Sequence, residues 1–597
     1  MAGIPDTARN RRWQATAGSA LAVAAVTAYA WGWKAFWFLT DDAYIAFRYV
    51  SNRQLGFGYV WNAPPFQPVE GYTSFLWVAL LDAAWTSTGA PPPVSANWLA
   101  FAFGLGTLGL SAWMLQRMNL CEALARWRPW LLFAVLLGLV SNPTFLTWSS
   151  SGLETALVNV LFLAWTATAL YTAPGSPRFT TGVALTSSLL ALTRPDGLLV
   201  VAVSAALVAA VRLTARPRPS AASLLAAWPF ALPVAHVLWR RSFYGEWLPN
   251  TYYAKVVAPW PEAGLRYLLS YGLEYGLWLW GLLAAAWALR VLRSPGAPAL
   301  RMPAPQKLPA LAVCATVLAH LAYYTLVVGG DHFAYRVYSH TVPMVLLSSV
   351  WLANRLAASG PRARRAAVFL PFAVVAVAWP IPWSHHVKAG SASTRVETAN
   401  LVIPLADDFP PGTRWYVRRF DALQRWLIEE HAIGKRRREH EVFHALQSAL
   451  WPRHQLTGDA WQERRGVISA ASVGVVGWIL ARADVIDTVG LNDYVVARNP
   501  VLRGDVGRAA SRRMAHARQP PDGYLACFPT NVRVDRSALR RRGPGGREML
   551  PRRLPLVELR ALPEPTVSID RDVPALSAAD VVRCEAEWRE RIAREIR

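Results

Sequence analysis

Two adjacent carboxylates, Asp41 and Asp42, stand where an apolar run from Ala20 to Leu39 ends. That run is long enough to cross a bilayer. An ionised pair at such a boundary costs free energy unless it meets water or a partner. It either ends a span at the interface or takes part in chemistry, where a carboxylate acts as acid or base. Five further polar motifs follow: Glu70-Gly71-Tyr72-Thr73-Ser74, Ser151-Gly152-Leu153-Glu154, Thr193-Arg194-Pro195-Asp196-Gly197, the stretch from Tyr244 through Asn250 to Lys255, and Gly329-Gly330-Asp331-His332 with Arg336. Each has a purely structural reading. Arg194 and Asp196 could pair across a tight turn, Glu154 could favour a helix start, and Asp331 could cap the next helix. Gathered on one face, the same acids and bases would make a site.

The elements that place them are apolar runs at about 18–38, 97–115, 130–148, 155–172, 179–193, 197–212, 221–239, 267–289, 308–328, 337–354 and 366–384. Each has roughly the length of a membrane helix. The run 73–89 is short and holds Asp82. Counting basic residues between runs decides its role, because cytoplasmic loops are enriched in Lys and Arg. With 73–89 left out of the count, Arg9, Arg11, Arg12, Arg117, Arg126, Arg128, Arg178, Arg212, Arg216, Arg218, Arg290, Arg293, Arg301, Lys307, Arg355, Arg362, Arg364 and Arg365 share one side. The sequence therefore predicts about eleven spans, with 73–89 an interfacial or re-entrant helix. The N-terminus is cytoplasmic, a long outer loop covers 43–96, and all six polar motifs sit on the outer face. Arg240 and Arg241 read as interface anchors.

Composition agrees. The 597 residues are 53% hydrophobic and 17% charged, with 29 Trp, against about 25% charged in soluble proteins. The net charge of +24 reflects loop arginines, so no nucleic-acid partner is implied. The first span lacks a cleavage-site pattern and reads as a retained anchor. Four cysteines show no metal-ligand spacing. The two halves of the membrane region show no matching broken helices, which weighs against a transporter.

Residues 1–385 thus form a multi-span region, and 386–597 a mixed α/β soluble domain on the outer side, large enough for its own core. Within it, Trp415–Ile433 reads as an amphipathic helix. Lys435-Arg436-Arg437-Arg438 reads as a solvated helix face, or as a contact for anionic headgroups or a phosphate-bearing glycan. Val467–Leu480 reads as buried strand, and 536–553 as an exposed loop. Cys527 and Cys584 are expected to form a disulfide, because the outer side permits oxidation.

Asp41-Asp42-Ala43-Tyr44, Gly56-Phe57-Gly58 with Trp61-Asn62, and Glu70-Gly71-Tyr72-Thr73-Ser74-Phe75-Leu76-Trp77 come in an order that resembles the C-type (GT-C) glycosyltransferases. These are polytopic membrane enzymes that use polyprenyl-phosphate sugars. The bacterial group with terminal arabinofuranosyltransferases is the most similar, and mannosyltransferases share the pattern. Gly152-Leu153-Glu154, Arg194-Pro195-Asp196-Gly197, Leu248 to Lys255, Gly329-Gly330-Asp331 and Asp487 to Asp493 with Val496-Ala497-Arg498 extend the likeness over most of 36–345 and 467–500.

The resemblance implies a multi-pass enzyme of the bacterial inner membrane. It would transfer a sugar, with inversion, from a polyprenyl-phosphate donor to a cell-envelope glycan, lipid or protein on the extracytoplasmic face. Asp41 or Asp42 would be the base, with Asp41 favoured by its place at the start of the loop. Arg194, Lys255, Arg336 and His332 would hold the leaving phosphate. Glu70, Tyr72, Glu154, Asp196, Asn250 and Asp331 would bind sugar or acceptor, or hold those cations. No cofactor or catalytic metal is implied, and a divalent ion on Asp41, Asp42 and Asp331 is the alternative. The competing readings are a polyprenyl-lipid or glycan transporter and a non-catalytic glycan-binding scaffold.

Overall fold

The computed structural model describes residues 6–214, 225–256, 258–293, 304–357, 361–501, 518–542 and 548–596. Arg216, Arg218, Arg301 and residues 221–224 of one expected span lie outside them, as do the glycines of the 536–553 loop. The described chain is mostly helical. Among the described residues, four helices are long and apolar enough to cross a membrane: Pro92–Arg117, Gly197–Thr214, Gln306–Val328 and Ala363–Ala389. Arg128–Val140 and Thr155–Tyr171 are shorter apolar helices.

Two expected spans are broken. In place of one helix over 267–289, Pro261–Glu274 and Leu277–Arg293 meet at 90°. Gly276 makes the bend at φ +57, against Val377, where a Cβ would collide. The run 130–148 stops at Val140 and restarts at Pro143, where the Asn142 side chain accepts from Phe145 N. Proline removes a helical donor and Asn caps well, so apolarity alone overestimates helix length here.

The helix α1 (Asp6–Ala35) ends before the acid pair, and a second helix, α2 (Asp41–Gln54), begins at it. Thr40 is the N-cap of α2, and Asp41 and Asp42 fill its first turn, where the helix dipole favours acids. The pair therefore starts a helix as well as ending a span. The short run 73–89 forms α3 (Phe75–Thr88), 14 residues long. Its Asp82 is buried against Arg53 at 3.1 Å and Tyr59 Oη at 2.7 Å. The next helix is α4 (Pro92–Arg117).

After residue 390 the elements shorten. Pro411–His431 is the expected amphipathic helix. Val467–Leu480 is strand only at its start. β1 (Val467–Ala470) leads to a six-residue crossover helix, Gly474–Ile479, and returns as β2 (Asp484–Asp487), parallel to β1 with Val467 opposite Asp484. The β-branched residues suit a buried strand, but Gly474 and Gly477 let the middle coil against α2. The apolar core there is shared: Phe47, Tyr49 and Val50 of α2 and Trp77 and Leu81 of α3 pack with Val476, Leu480 and Val485. Cys527 and Cys584 are disulfide-bonded, with Cα atoms 6.1 Å apart.

The basic run is not a solvated face. Lys435 Nζ donates to Glu439 at 2.7 Å, and Arg436 makes two 2.7 Å bonds to Glu274. Arg437 and Arg438 both reach Glu441. Arg240, expected at the lipid interface, is likewise buried in an ion pair with Glu70. Glu439 and Glu441 lie within one helical turn of the cations they pair, whereas Glu274 and Glu70 stand 162 and 170 positions from Arg436 and Arg240, which local pattern cannot reveal.

Candidate active site

A cavity of about 1730 Å³ opens where the starts of several helices converge. Asp41, Asp42, Tyr72, Glu154, Arg194, Asp196, Lys255, Asp331, His332 and Arg336 all line it. Thus motifs from six separate stretches of chain meet in one space. Glu70 and Asn250 do not line it. Glu70 is 2% exposed and held by Arg240. Asn250 donates to Gly490 O and Asp493 O, and accepts from Arg498 at 2.7 Å. Both brace the loop around Gly71, whose N–H donates to Tyr49 Oη.

The cations are anchored by acids. Arg194 Nε lies 3.1 Å from Asp196, its Nη1 3.5 Å from Glu154 and its Nη2 2.5 Å from Tyr324 Oη. His320 Nε2 and Tyr324 Oη both reach the other Asp196 oxygen, at 2.9 and 3.1 Å. Burial would raise Asp196, but Arg194 and His320 outweigh it and hold the carboxyl far below its usual range. Arg336 Nε lies 2.9 Å from Asp331 and stacks over Phe333. Glu154, Asp196 and Asp331 therefore act on this geometry by orienting guanidinium groups. Lys255, at the end of the helix Asn250–Lys255, is exposed and has no ion-pair partner among the described residues. His332 Nδ1 lies 2.9 Å from Ala432 O. Tyr72 turns its hydroxyl to Tyr244 at 3.1 Å.

The two aspartates differ. Asp41 is 8% exposed and accepts from Val475 N at 2.9 Å and Gly474 N at 3.3 Å. Burial pushes its carboxyl up to about 6, aided by Asp42 and Asp487 and opposed by those two N–H groups. Asp42 is exposed and its side chain makes no hydrogen bond or ion pair among the described residues. Among the described residues, no group of three or more His, Cys, Asp and Glu is arranged to hold a metal.

No protein-family model matches the chain. It is 30% identical over 271 residues to a terminal β-(1→2)-arabinofuranosyltransferase of Mycobacterium tuberculosis, covering 43% of this chain and 42% of that protein. It is 30% identical over 344 residues to the protein of the same name from Corynebacterium glutamicum, covering 52% of this chain and 47% of the relative. The matched stretch spans less than half the length of either relative. The chain resembles the terminal arabinofuranosyltransferases. A solved structure, ArnT from Cupriavidus metallidurans bound to undecaprenyl phosphate, aligns over 78% of this chain and 85% of its own, with a TM-score of 0.42 and 11% identity.

Beside this likeness to the arabinofuranosyltransferases, Tyr324, Arg395, Glu439 and His440 line the cavity although no local pattern marks them, and His320 reaches Asp196 from outside the lining. His320 and Tyr324 lie four apart in the apolar run 308–328, a spacing that puts both on one helix face, and both bind Asp196. Arg395, Lys435, Glu439 and His440 form the wall supplied by the segment after 390. Arg395 and Lys435 share Glu439, at 3.0 and 2.7 Å. Asp487 also lines the cavity, its carboxylate accepting from Val489, Gly490 and Asn492 N–H groups.

Proposed function

We propose that the chain transfers a sugar from a polyprenyl-phosphate donor to an acceptor hydroxyl in this cavity, on the extracytoplasmic face of a bacterial plasma membrane. The observation that carries the reading is the layout of the cavity. Carboxylates stand at one wall, anchored guanidinium groups at another, and an apolar mouth beside them. At that mouth Leu248, Tyr252, Val256 and Val327 expose 39%, 45%, 48% and 48% of their surface, next to Lys255. An isoprenoid tail on the apolar residues would bring its phosphate to Lys255, Arg194 and Arg336. Bidentate guanidinium contacts suit a phosphate oxygen pair, and Lys adds a mobile point charge.

In this reading the acceptor oxygen bonds to the anomeric carbon as the carbon–oxygen bond to phosphate breaks. The bonding pair leaves with the phosphate, whose added charge the cations stabilise. The acceptor proton passes to the aspartate wall. The wall of Arg395, Asn400, Glu429, Glu430 and His440 offers the acceptor hydrogen-bonding groups. The orientation rests on polarity along the helices. The helix Thr155–Tyr171 begins beside Glu154 and the helix Gly197–Thr214 beside Asp196, whereas Arg212 and Arg117 lie at the far helix ends.

The test is a transfer assay with purified full chain in lipid nanodiscs. It uses a panel of synthetic polyprenyl-phosphate sugars, arabinofuranose first, with an oligosaccharide acceptor. Product with inverted linkage supports the proposal. No transfer from any donor, by protein that binds polyprenyl phosphate, would favour a transporter or scaffold.

A further inference from the structure

The helix α2 holds the crossover helix Gly474–Ile479 at both ends. Asp41, in its first turn, accepts from Gly474 N and Val475 N at the start of the crossover helix. Arg48, seven residues on and fully buried, donates to Gly477 O at 2.5 Å, Leu480 O at 3.0 Å and Ala483 O at 2.7 Å at its other end. Seven residues are two helical turns, so both side chains leave the same face of α2. Arg48 also donates to Trp61 O at 2.7 Å and lies over the Trp61 ring. Contact is close enough that a Cβ built on Gly474 would stand 1.8 Å from Asp41 O.

We infer that Asp41 is a positioning residue, which locks the crossover helix to α2, and that Asp42 is the base. The inference deepens the proposed transfer reaction and rests on it for the role of Asp42. Both Asp41 oxygens are engaged by backbone N–H groups, and its carboxylate is turned into the α2–crossover contact. A base must present an oxygen to the acceptor hydroxyl, and the exposed Asp42, one residue on, can do so. The Asp41 contact fixes the first turn of α2, and so fixes where the Asp42 carboxylate stands in the cavity. The same contact brings Val473 and Asp487 to the cavity wall, which makes the segment 467–487 part of the site.

The experiment pairs two readouts on the full chain in nanodiscs: local hydrogen exchange at 474–480, and transfer from the donor found active. Asp41→Asn keeps one acceptor but sets an NH₂ against the second N–H, so one backbone donor goes unpaired. Exchange at 474–480 should rise about tenfold and kcat fall by about tenfold, and Gly474→Ala should reproduce both changes. Asp42→Asn should leave exchange at 474–480 as in the wild type and cut kcat by about 10²-fold or more, with little change in donor KM. The inference is overturned if Asp41→Asn leaves exchange unchanged, or if Asp42→Asn retains wild-type transfer. The exchange arm needs no turnover, so it decides the positioning role even if no donor is found. In that case it is the transfer reaction, not the Asp41 contact, that has failed.

Discussion

At the scale of single residues, the environment of Asp41 sets a pH dependence. Its two N–H partners favour the ionised carboxylate, to which they bond more strongly, whereas burial favours the protonated form and pushes the group up to about 6. Transfer should therefore decline as pH falls through about 6, and this limb should be absent from the Asp41→Asn pH–rate profile. Stability runs the other way. The folded chain holds the Asp41 proton more tightly than the unfolded chain does, so this group favours folding most below about pH 4, and that contribution is lost as pH rises through about 6. Thermal unfolding at pH 5 and 7.5, wild type beside Asp41→Asn, measures the difference. A second residue-scale expectation concerns Arg194. It is oriented by Glu154, Asp196 and Tyr324, so Arg194→Lys keeps charge but loses the fork. It should raise donor KM about tenfold or more in steady-state kinetics. The sequence showed Arg194 and Asp196 as neighbours. It could not show that His320, 124 positions away, completes the same cluster, because a lone histidine in an apolar run has no local partner to betray it.

At the scale of elements, buried charges join pieces of chain far apart in sequence. Arg48 satisfies four backbone carbonyls, of Trp61, Gly477, Leu480 and Ala483. Arg48→Ala should destabilise the chain by roughly 3–5 kcal/mol, read as a fall in melting temperature in detergent. The Glu70–Arg240 pair makes a separable case. Glu70→Ala strands a buried guanidinium and should cost roughly 3–5 kcal/mol, while Glu70→Ala with Arg240→Ala together should cost less than the sum, as a double-mutant cycle would measure. Elements whose signal is periodic, such as Pro411–His431, were legible in the sequence. The crossover helix was not, since six residues carry less than two turns of pattern and its sequence favours strand. Its helical form comes from contact with α2, a tertiary override of local preference. The 90° bend at Tyr275–Gly276 was hidden for a related reason. Apolarity continues through it, and only the positive φ of Gly276 marks it.

At the scale of the whole molecule, the cavity walls come from both halves of the chain, and protein cations, Arg194, Arg336 and Lys255, stand in it to meet a phosphate. Transfer should therefore survive exhaustive chelation, and restoration of lost activity by Mg²⁺ or Ca²⁺ would overturn that expectation. The disulfide Cys527–Cys584 ties the last helix, Ala578–Ile596, to the turn at Tyr524–Cys527 across 57 residues. Closing a loop of that length is worth roughly 4 kcal/mol in the chain-entropy account, so reduction should lower the melting temperature of the full chain measurably. The bundle of apolar helices and the convergence of the polar motifs could be read from composition and basic-residue bookkeeping, because both are sums over long stretches. The wall formed by Arg395, Lys435 and Glu439 could not, because those residues acquire meaning only when the chain after 390 folds back onto the helices.

The grip of α2 on the crossover helix also sets a timetable. Asp41 emerges from the ribosome 433 residues before Gly474, which at roughly 5–20 residues per second is about 20–90 s. Throughout that interval the acid pair waits at the membrane surface without the segment that orders it. In the proposed reaction, a nascent chain that has not reached Gly474 lacks the contact that orders the acid pair, so transfer would begin only once the segment 474–487 has been made and has docked on α2. Inactivity before that point would then follow from chain order itself.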